Sequence, residues 1–522
     1  FEHRFCQESP NFLSYGITMN FIIFNPDEMR AESVGCYGHP LVQTPNIDRL
    51  AAEGTRFDNC FVQHTVCSPS RCAVMTGWYP HVSGHRTLWH LLRPHEPNLY
   101  RYLKQAGYYV YWDGGHNDAL AAECFPDSVS EWKDSGTKGA TGPIPYELDD
   151  PRYYSFLSQP YTESLEENSD YAKVAAACDF MRGKPDQPFA IHLPLHYPHP
   201  MYSAPEPWHS RIDPDDVPPL RPGELPNKPD FHSLIREYRR LAEVDESFLR
   251  KIQAVYLGMI EFSDHMLGMI LDCLQETGLD EDTCVLFFSD HGDYAGDYGL
   301  VEKWPSGLED VLTRVPLIIR APGMKKGHVV KELVELFDIL PTTLELAGVE
   351  CGHTHFARSL VHQLRGAPGS PTRVVFAEGG YDTHEPHCFE GKPEDGVAGN
   401  PRGIYYPKGR QQQEHPESVS RSTMIRTRTH KLIRRPNGQS ELYDLAQDPL
   451  ELHNLCDHPE YAAVQRDLEL RLLDWAIHTA DVVPHDPDPR GLPPYPPETR
   501  VAAADPKTPA PAPGNANEPP PE

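Results

Sequence analysis

The sequence has no run of 18 apolar residues, and it has few basic residues for its length. A membrane-spanning helix needs about 20 predominantly apolar residues, so no segment is predicted to cross a membrane. Lys and Arg number 47 against 76 Asp and Glu, which gives a formal net charge of -29. An acidic surface repels nucleic acid and anionic lipid, so neither is expected as a partner. An anionic substrate is not excluded, because a local basic pocket can oppose the overall charge.

The first 18 residues, "FEHRFCQESPNFLSYGIT", lack the apolar core of a secretory signal, and we therefore expect a cytoplasmic protein. Without such a signal, the twelve cysteines need not form disulfides. Most of them, such as Cys178 and Cys273 on helical apolar patterns, are expected to be small buried residues.

Helical patterns alternate with apolar strands over most of the chain, which predicts an α/β sandwich with a largely parallel sheet. The strand pattern "NFIIF" ends in Asp27 and Glu28, and "CVLFF" ends in Asp290 and His291. Ligands of such sheets bind at the carboxyl ends of the strands. Although more than 250 residues separate them, these two polar pairs are therefore expected at one edge of the sheet.

The pattern changes near residue 370, where "RVVFAEGG", "STMIRTRTHKLIRR" and "SELYDL" predict a small antiparallel sheet, followed by a helix over 459–477. We predict domains at 19–369 and 370–483. Residues 484–522, rich in Pro and Ala, are expected to be a disordered tail. Two long segments, 131–165 and 381–418, are expected to form loops that set selectivity.

Asp27, Glu28, Asp290 and His291 together offer hard oxygen ligands and one imidazole, a set suited to Ca²⁺ or Mg²⁺. Each pair alone would also fit a turn or a helix cap. A divalent ion there would polarise an anionic ester. His199 and Lys303 are candidate basic groups for positioning that anion.

The stretch "CSPSRCAVMTG" resembles the signature of the type I sulfatases, the formylglycine-dependent members of the alkaline phosphatase-like superfamily. "TPNIDRLAAEGTRFDNCF" before it, "FFSDHGDYAGDYGLVEK" and "ELYDLAQDPLELHNL" resemble further motifs of that family. The resemblance runs from about Met19 to about residue 478. It implies an alkaline phosphatase-like sandwich with a large mixed, mostly parallel sheet, a catalytic domain over 19–369, and a smaller C-terminal domain with a four-stranded antiparallel sheet and a helix.

In that family, a maturation enzyme oxidises the motif cysteine to Cα-formylglycine. By resemblance, Cys67 would become the formylglycine, whose hydrate attacks the sulfur of a small-molecule or saccharide sulfate ester. The implied ligands of one divalent cation, Ca²⁺ or alternatively Mg²⁺ or Mn²⁺, are Asp27, Glu28, Asp290, His291 and the modified Cys67. Glu28 stands where the family usually has Asp. Arg71 would hold the formylglycine, and His199 and Lys303 would contact sulfate oxygens, one of them or a neighbour protonating the leaving oxygen.

The sequence departs from the family pattern at "GGHND", where Gly115 and Asn117 replace a Lys and a His that usually bind sulfate. The phosphonate monoester hydrolase branch also lacks these cations. The alternative function is therefore a phosphonate monoester or phosphodiester hydrolase, with Asn117 as a neutral hydrogen-bond donor in either case. His116 fits a supporting or a structural role equally.

Three further alternatives concern Cys67. A silent binding protein would keep the fold without oxidising Cys67, and a structural cysteine would need no modification. A cysteine protease using His81 or His85 leaves the acids at the strand ends unexplained. The oligomeric state, including a homo-oligomer, is open.

Overall fold

A computed structural model describes residues 19–114, 118–136 and 139–485. Its large sheet has nine strands: β1 Asn20–Asn25, β2 Thr55–Phe61, β3 Tyr109–Asp113, β4 Glu131–Lys133, β5 Phe189–Pro194, β6 Thr283–Phe288, β7 Arg314–Val315, β8 Leu317–Arg320 and β9 His328–Glu335. The strand order is β4-β3-β5-β1-β6-β8-β2-β7, and β9 also pairs with β2. The five neighbouring strands β4, β3, β5, β1 and β6 are parallel, whereas β8 is antiparallel to both β6 and β2. The predicted mixed, mostly parallel sheet is confirmed.

The central strands are apolar on both faces because helices cover both sides of the sheet. On β1, Ile22 and Phe24 pack against one helical layer, and Phe21 and Ile23 pack against the other. All four side chains are buried. The continuous apolar run in the sequence follows from this two-sided burial.

Twelve α-helices occur in the described residues: α1 Pro45–Glu53, α2 Cys67–Thr76, α3 Leu99–Gln105, α4 Phe125–Ser128, α5 Ser169–Arg182, α6 Phe231–Tyr238, α7 Glu246–Thr277, α8 Asp310–Thr313, α9 Ile339–Ala347, α10 Val361–Leu364, α11 Tyr406–Glu414 and α12 Ala462–His478. Helix α7 is long and apolar enough to cross a membrane. However, 89% of its apolar window is buried inside the protein, where it packs with α5 and the sheet.

A second sheet has four antiparallel strands in the order β10 Val375–Gly379, β11 Ser422–Arg426, β12 His430–Arg434 and β13 Glu441–Asp444. Helix α12 covers one face through Leu468 and Leu472. The small sheet touches the large one where Val375 packs with Phe61 and Leu333. This four-stranded sheet with its helix is the predicted C-terminal substructure.

Residues 19–351 and 355–482, with the gaps given above, belong to one compact unit, which contains both sheets. The boundary near residue 370 therefore stays a prediction. A second unit includes residues 352–354 and 483–485, where Thr354 Oγ1 lies 3.2 Å from His485 Nε2. The predicted disordered tail lies outside the described residues from position 486 onward. The eleven cysteines within the described ranges are free thiols, and both Cys178 and Cys273 are buried as predicted.

Candidate functional site

The two acid clusters meet because β1 and β6 are parallel neighbours. Phe24 of β1 pairs with Phe287 of β6, so both strands end at the same edge of the sheet. The backbone N–H of Glu28 lies 3.3 Å from Asp290 Oδ1, which ties the two strand ends together. The expectation that residues 27–28 and 290–291 share one edge is confirmed.

Helix α2 brings Cys67 to the same edge. Cys67 is its first residue, and the thiol lies 3.2 Å from His291 Nε2 and 3.5 Å from Asp27 Oδ1. One turn further, Ser70 Oγ donates a hydrogen bond of 2.6 Å to the carbonyl of Asp290. The helix start is thus fixed to the end of β6, and Cys67 faces the acids rather than the apolar core.

Four of the predicted metal ligands form one buried group. The ligand atoms of Asp27, Glu28, Cys67 and His291 all lie within 4.8 Å of one another. His291 Nδ1 lies 2.9 Å from the Gly292 carbonyl, to which it donates, so Nε2 carries the lone pair that faces the group. Within the described ranges, Glu28 Oε2 is buried with no hydrogen-bond donor. A buried carboxylate oxygen without a donor is costly, and a cation would satisfy it. The donor set therefore fits a divalent cation.

Asp290, the fifth predicted ligand, lies beside this group with its carboxylate already engaged. Its Oδ2 accepts from Arg71 Nε at 2.7 Å, and Oδ1 accepts from the His291 N–H at 3.0 Å. Arg71 also donates from Nη2 to Asp27 Oδ2 at 2.9 Å. Its buried guanidinium thus joins the ends of β1 and β6. Direct ligation by Asp290 stays a prediction.

Lys303 and His199 both contact the buried Glu28 carboxylate. Lys303 Nζ donates to Glu28 Oε1 and lies 3.1 Å from His199 Nε2. His199 Nε2 is also 3.3 Å from Glu28 Oε1. The two basic residues selected from the sequence for anion binding are therefore adjacent to each other and to the cation-ligand group.

Burial dominates the ionisation of this site. Burial and the Asp27 carboxylate raise the pKa of the Cys67 thiol, with Lys303 opposing, so the unmodified thiol stays protonated and is a poor nucleophile. Burial also raises the pKa of Glu28, and Lys303 offsets only part of that shift. Burial opposes ionisation of Lys303, but the acidic groups around it, Cys67, Glu28 and Glu302, together outweigh burial and raise its pKa.

Gly115, His116 and Asn117 lie outside the described residues, so the predicted donor role of Asn117 stays a prediction. The next residue, Asp118, has its Oδ2 4.0 Å from Arg71 Nη1. Asp118, the last residue of "GGHND", therefore lies near the site. Asp118 was not selected from the sequence, because a single acid after a strand carries no distinctive signal.

The long loops expected to set selectivity contact each other. Tyr153 donates to the Arg402 carbonyl and Tyr154 to the Pro401 carbonyl, each at 2.8 Å. Phe156 packs against Tyr405 with ring centroids 5.1 Å apart. Residues 153–156 of the first segment thus pack against residues 401–405 of the second.

Sequence comparisons identify relatives over nearly the whole chain. A sulfatase family model matches residues 19–349, and a model for the C-terminal part of N-sulphoglucosamine sulphohydrolase matches residues 402–478. A multifunctional alkaline phosphatase superfamily protein, PehA of Trinickia caryophylli, is 26% identical over 88% of this chain and 93% of its own length. An N-acetylglucosamine-6-O-sulfatase of Bacteroides thetaiotaomicron is 25% identical over 87% of this chain and 85% of its own.

Solved structures share the fold. A phosphonate monoester hydrolase of Agrobacterium radiobacter superposes with a TM-score of 0.69 at 22% identity, covering 88% of this chain and 96% of that one. A 2-O GAG sulfatase superposes with a TM-score of 0.65 at 22% identity, covering 91% and 96%. At these identities the structures establish the alkaline phosphatase-like fold alone.

Proposed function

Because the chain belongs to the sulfatase family and is a sulfate ester hydrolase, we propose that it acts through a Cα-formylglycine made from Cys67 and a divalent cation held beside it. The observation that carries this proposal is the position of Cys67, within 3.5 Å of both Asp27 and His291 at the edge of the sheet. The pKa of its thiol is raised by burial, so an unmodified Cys67 would contribute little nucleophile. Conversion to formylglycine would supply a hydroxyl nucleophile in its place.

Asp27, Glu28 and His291, with the modified residue 67, would hold the cation, and Asp290 would complete the set or support it. The cation would supply Lewis-acid polarisation of the sulfate ester. We propose Ca²⁺, with Mg²⁺ and Mn²⁺ as alternatives. The carboxylates are hard oxygen donors, and oxidation of Cys67 would remove the soft thiolate that favours zinc.

Arg71 would position the nucleophile and keep the Asp27 and Asp290 carboxylates in place. Lys303 and His199 would bind the sulfate oxygens. Because the His199 Nδ1 faces the Pro200 carbonyl, its Nε2 is the atom turned toward Lys303 Nζ. We assign delivery of a proton to the leaving oxygen to this pair, since Lys303 is a charged donor at neutral pH.

The leaving group we propose is a saccharide or other small alcohol. The relative named N-acetylglucosamine-6-O-sulfatase supports the saccharide, since it matches 87% of this chain. The expected maturation enzyme and the cytoplasmic location stay predictions.

The second candidate is a phosphonate monoester or phosphodiester hydrolase, favoured by Gly115 and Asn117 in place of two sulfate-binding cations. A phosphodiester bears one charge and a second bulky substituent, whereas a sulfate monoester bears one charge and three terminal oxygens. Matured protein, co-expressed with a formylglycine-generating enzyme, should therefore be assayed on 4-nitrophenyl sulfate and 4-nitrophenyl phenylphosphonate side by side. The proposal predicts the higher kcat/KM on the sulfate. A preference for the phosphonate would select the second candidate.

A further inference from the structure

Both ends of the segment between β10 and β11 are hydrogen-bonded to the two residues that follow Lys303, Trp304 and Pro305. At its start, the Gly380 N–H donates to the Pro305 carbonyl at 2.8 Å. At its end, the Ser418 carbonyl accepts from Trp304 Nε1 at 2.7 Å. Residues 380–418 are thus fixed beside the proposed sulfate-binding lysine, and α11 lies within them.

Glu302 places a second buried carboxylate next to Lys303. Glu302 Oε1 lies 3.2 Å from Lys303 Nζ, so it competes with Glu28 for the same ammonium. The Glu302 backbone cannot easily withdraw, because its N–H donates to Tyr202 Oη at 2.9 Å and to Asp293 Oδ1 at 3.1 Å. A buried carboxylate without a counter-ion would draw Lys303 toward itself and away from a bound anion.

Lys408, on α11, supplies that counter-ion. Its side chain is 2% exposed, and Nζ lies 3.0 Å from the same Glu302 Oε1. Its next carboxylate, Glu390, is 3.8 Å away, and the nearest Arg239 nitrogen is 3.9 Å from Glu302 Oε2. Burial raises the pKa of Glu302, but Lys408 is the strongest of the opposing charges and the net shift is downward. Glu302 is therefore ionised, and Lys408 is its main partner.

We propose that Lys408 is a positioning residue for the sulfate-binding lysine. By neutralising Glu302, it leaves the Lys303 ammonium directed toward Glu28 and the substrate anion. Lys408 touches neither substrate nor cation and acts only through Glu302 and Lys303. This inference rests on the proposed function, since it assumes that Lys303 binds sulfate.

The test compares Lys408→Met, Lys408→Arg and the double variant Lys408→Met with Glu302→Gln. Arg410→Met is the matched control, because Arg410 lies on the same helix but is exposed, and among the described residues its ion pair is with Glu414. Each matured protein is assayed on 4-nitrophenyl sulfate, and its affinity for inorganic sulfate is measured by calorimetry. Removing one partner of a buried charge pair should raise KM and the sulfate Kd on the order of 10- to 100-fold, with a smaller change in kcat.

The double variant is the decisive one, because it removes the uncompensated charge as well as the lysine. We expect it to restore KM to within about threefold of wild type, and Lys408→Arg to restore part of it. A Lys408→Met protein with wild-type KM, or a double variant no better than Lys408→Met, would overturn the inference. If Lys408→Met does not fold, the double variant still decides, since it no longer buries the Glu302 carboxylate without its lysine. A wild-type protein that neither hydrolyses nor binds sulfate would instead refute the proposed function, and the inference with it.

Discussion

Replacing Arg71 tests the part of the site that holds the two strand ends together. Its guanidinium donates to Asp27 at 2.9 Å and to Asp290 at 2.7 Å, and all three side chains are buried. Arg71→Lys keeps the positive charge, but the compact ammonium lacks the planar fork of donors with which the guanidinium reaches both carboxylates. A hydrogen bond to a charged group contributes about 1.5–3 kcal/mol. Losing one of the two should therefore lower kcat/KM about 10- to 100-fold.

Arg71→Met should be more severe, because it leaves two buried carboxylates with one cation fewer. Breaking a buried ion pair by removing one partner costs about 3–5 kcal/mol, so we also expect a lower Tm. The assay is kcat/KM on an aryl sulfate, divided by the fraction of Cys67 converted, because Arg71 lies in the same motif as the cysteine that the maturation enzyme would oxidise. The mass of the Cys67 peptide gives that fraction. An Arg71→Lys protein with wild-type kcat/KM per converted site and an unchanged Tm would refute this reasoning.

Four further predictions concern the nucleophile, the backbone, the cation and pH. Cys67→Ala should abolish turnover of sulfate esters while leaving the Tm within a few degrees of wild type, as measured by calorimetry; retained turnover would exclude Cys67 as nucleophile. Gly292→Ala should lower both Tm and activity, because an added Cβ would lie 1.9 Å from the Val311 carbonyl oxygen and displace the chain next to His291. An unchanged Tm would show that the backbone accommodates the Cβ without cost and would contradict this prediction. Chelation should abolish activity and added Ca²⁺ should restore it, with elemental analysis of the matured protein finding a divalent ion; full activity after complete removal of metal would contradict the proposed site. Burial, together with His291 and Arg86, lowers the pKa of His64 to about 3. When the pH falls below the ordinary pKa of histidine, the unfolded chain therefore takes up a proton at His64 that the folded chain does not, and the folded state loses stability. Wild type should therefore lose up to about 1.4 kcal/mol per pH unit more than His64→Asn between about pH 6 and 4, and parallel unfolding curves would contradict this.

The sequence predicted the parts of the site that depend on strand ends. Apolar runs followed by acids at Asp27 and Asp290 located the edge of the sheet, because a parallel sheet brings such ends together whatever their separation in sequence. Cys67 and Arg71 were identified by a short motif on one helix, where residues four apart share a face. Strand ends and short motifs of this kind can be recognised in a single sequence.

The charge balance around Lys303 could not be predicted in the same way. Lys408 and Glu302 are 106 residues apart. Glu302 lies within the stretch "FFSDHGDYAGDYGLVEK", but Lys408 belongs to no periodic pattern or short motif identified in the sequence. Their contact depends on how the long segment between β10 and β11 of the small sheet packs against the segment that contains Glu302. His64 was missed for a related reason: a histidine before a motif gives no sign that it is fully buried beside His291. Burial of isolated polar side chains is a property of the tertiary packing.

The central claim is that a modified Cys67 carries the hydrolysis of a sulfate ester. Preparations made with increasing amounts of maturation enzyme should span a range of conversion, read as the share of Cys67 peptide that is lighter by about 18 Da. Specific activity on a sulfate ester, plotted against that share, is the measurement we would make. The account predicts a straight line through the origin. Activity at zero conversion, or none at full conversion with metal supplied, would contradict it.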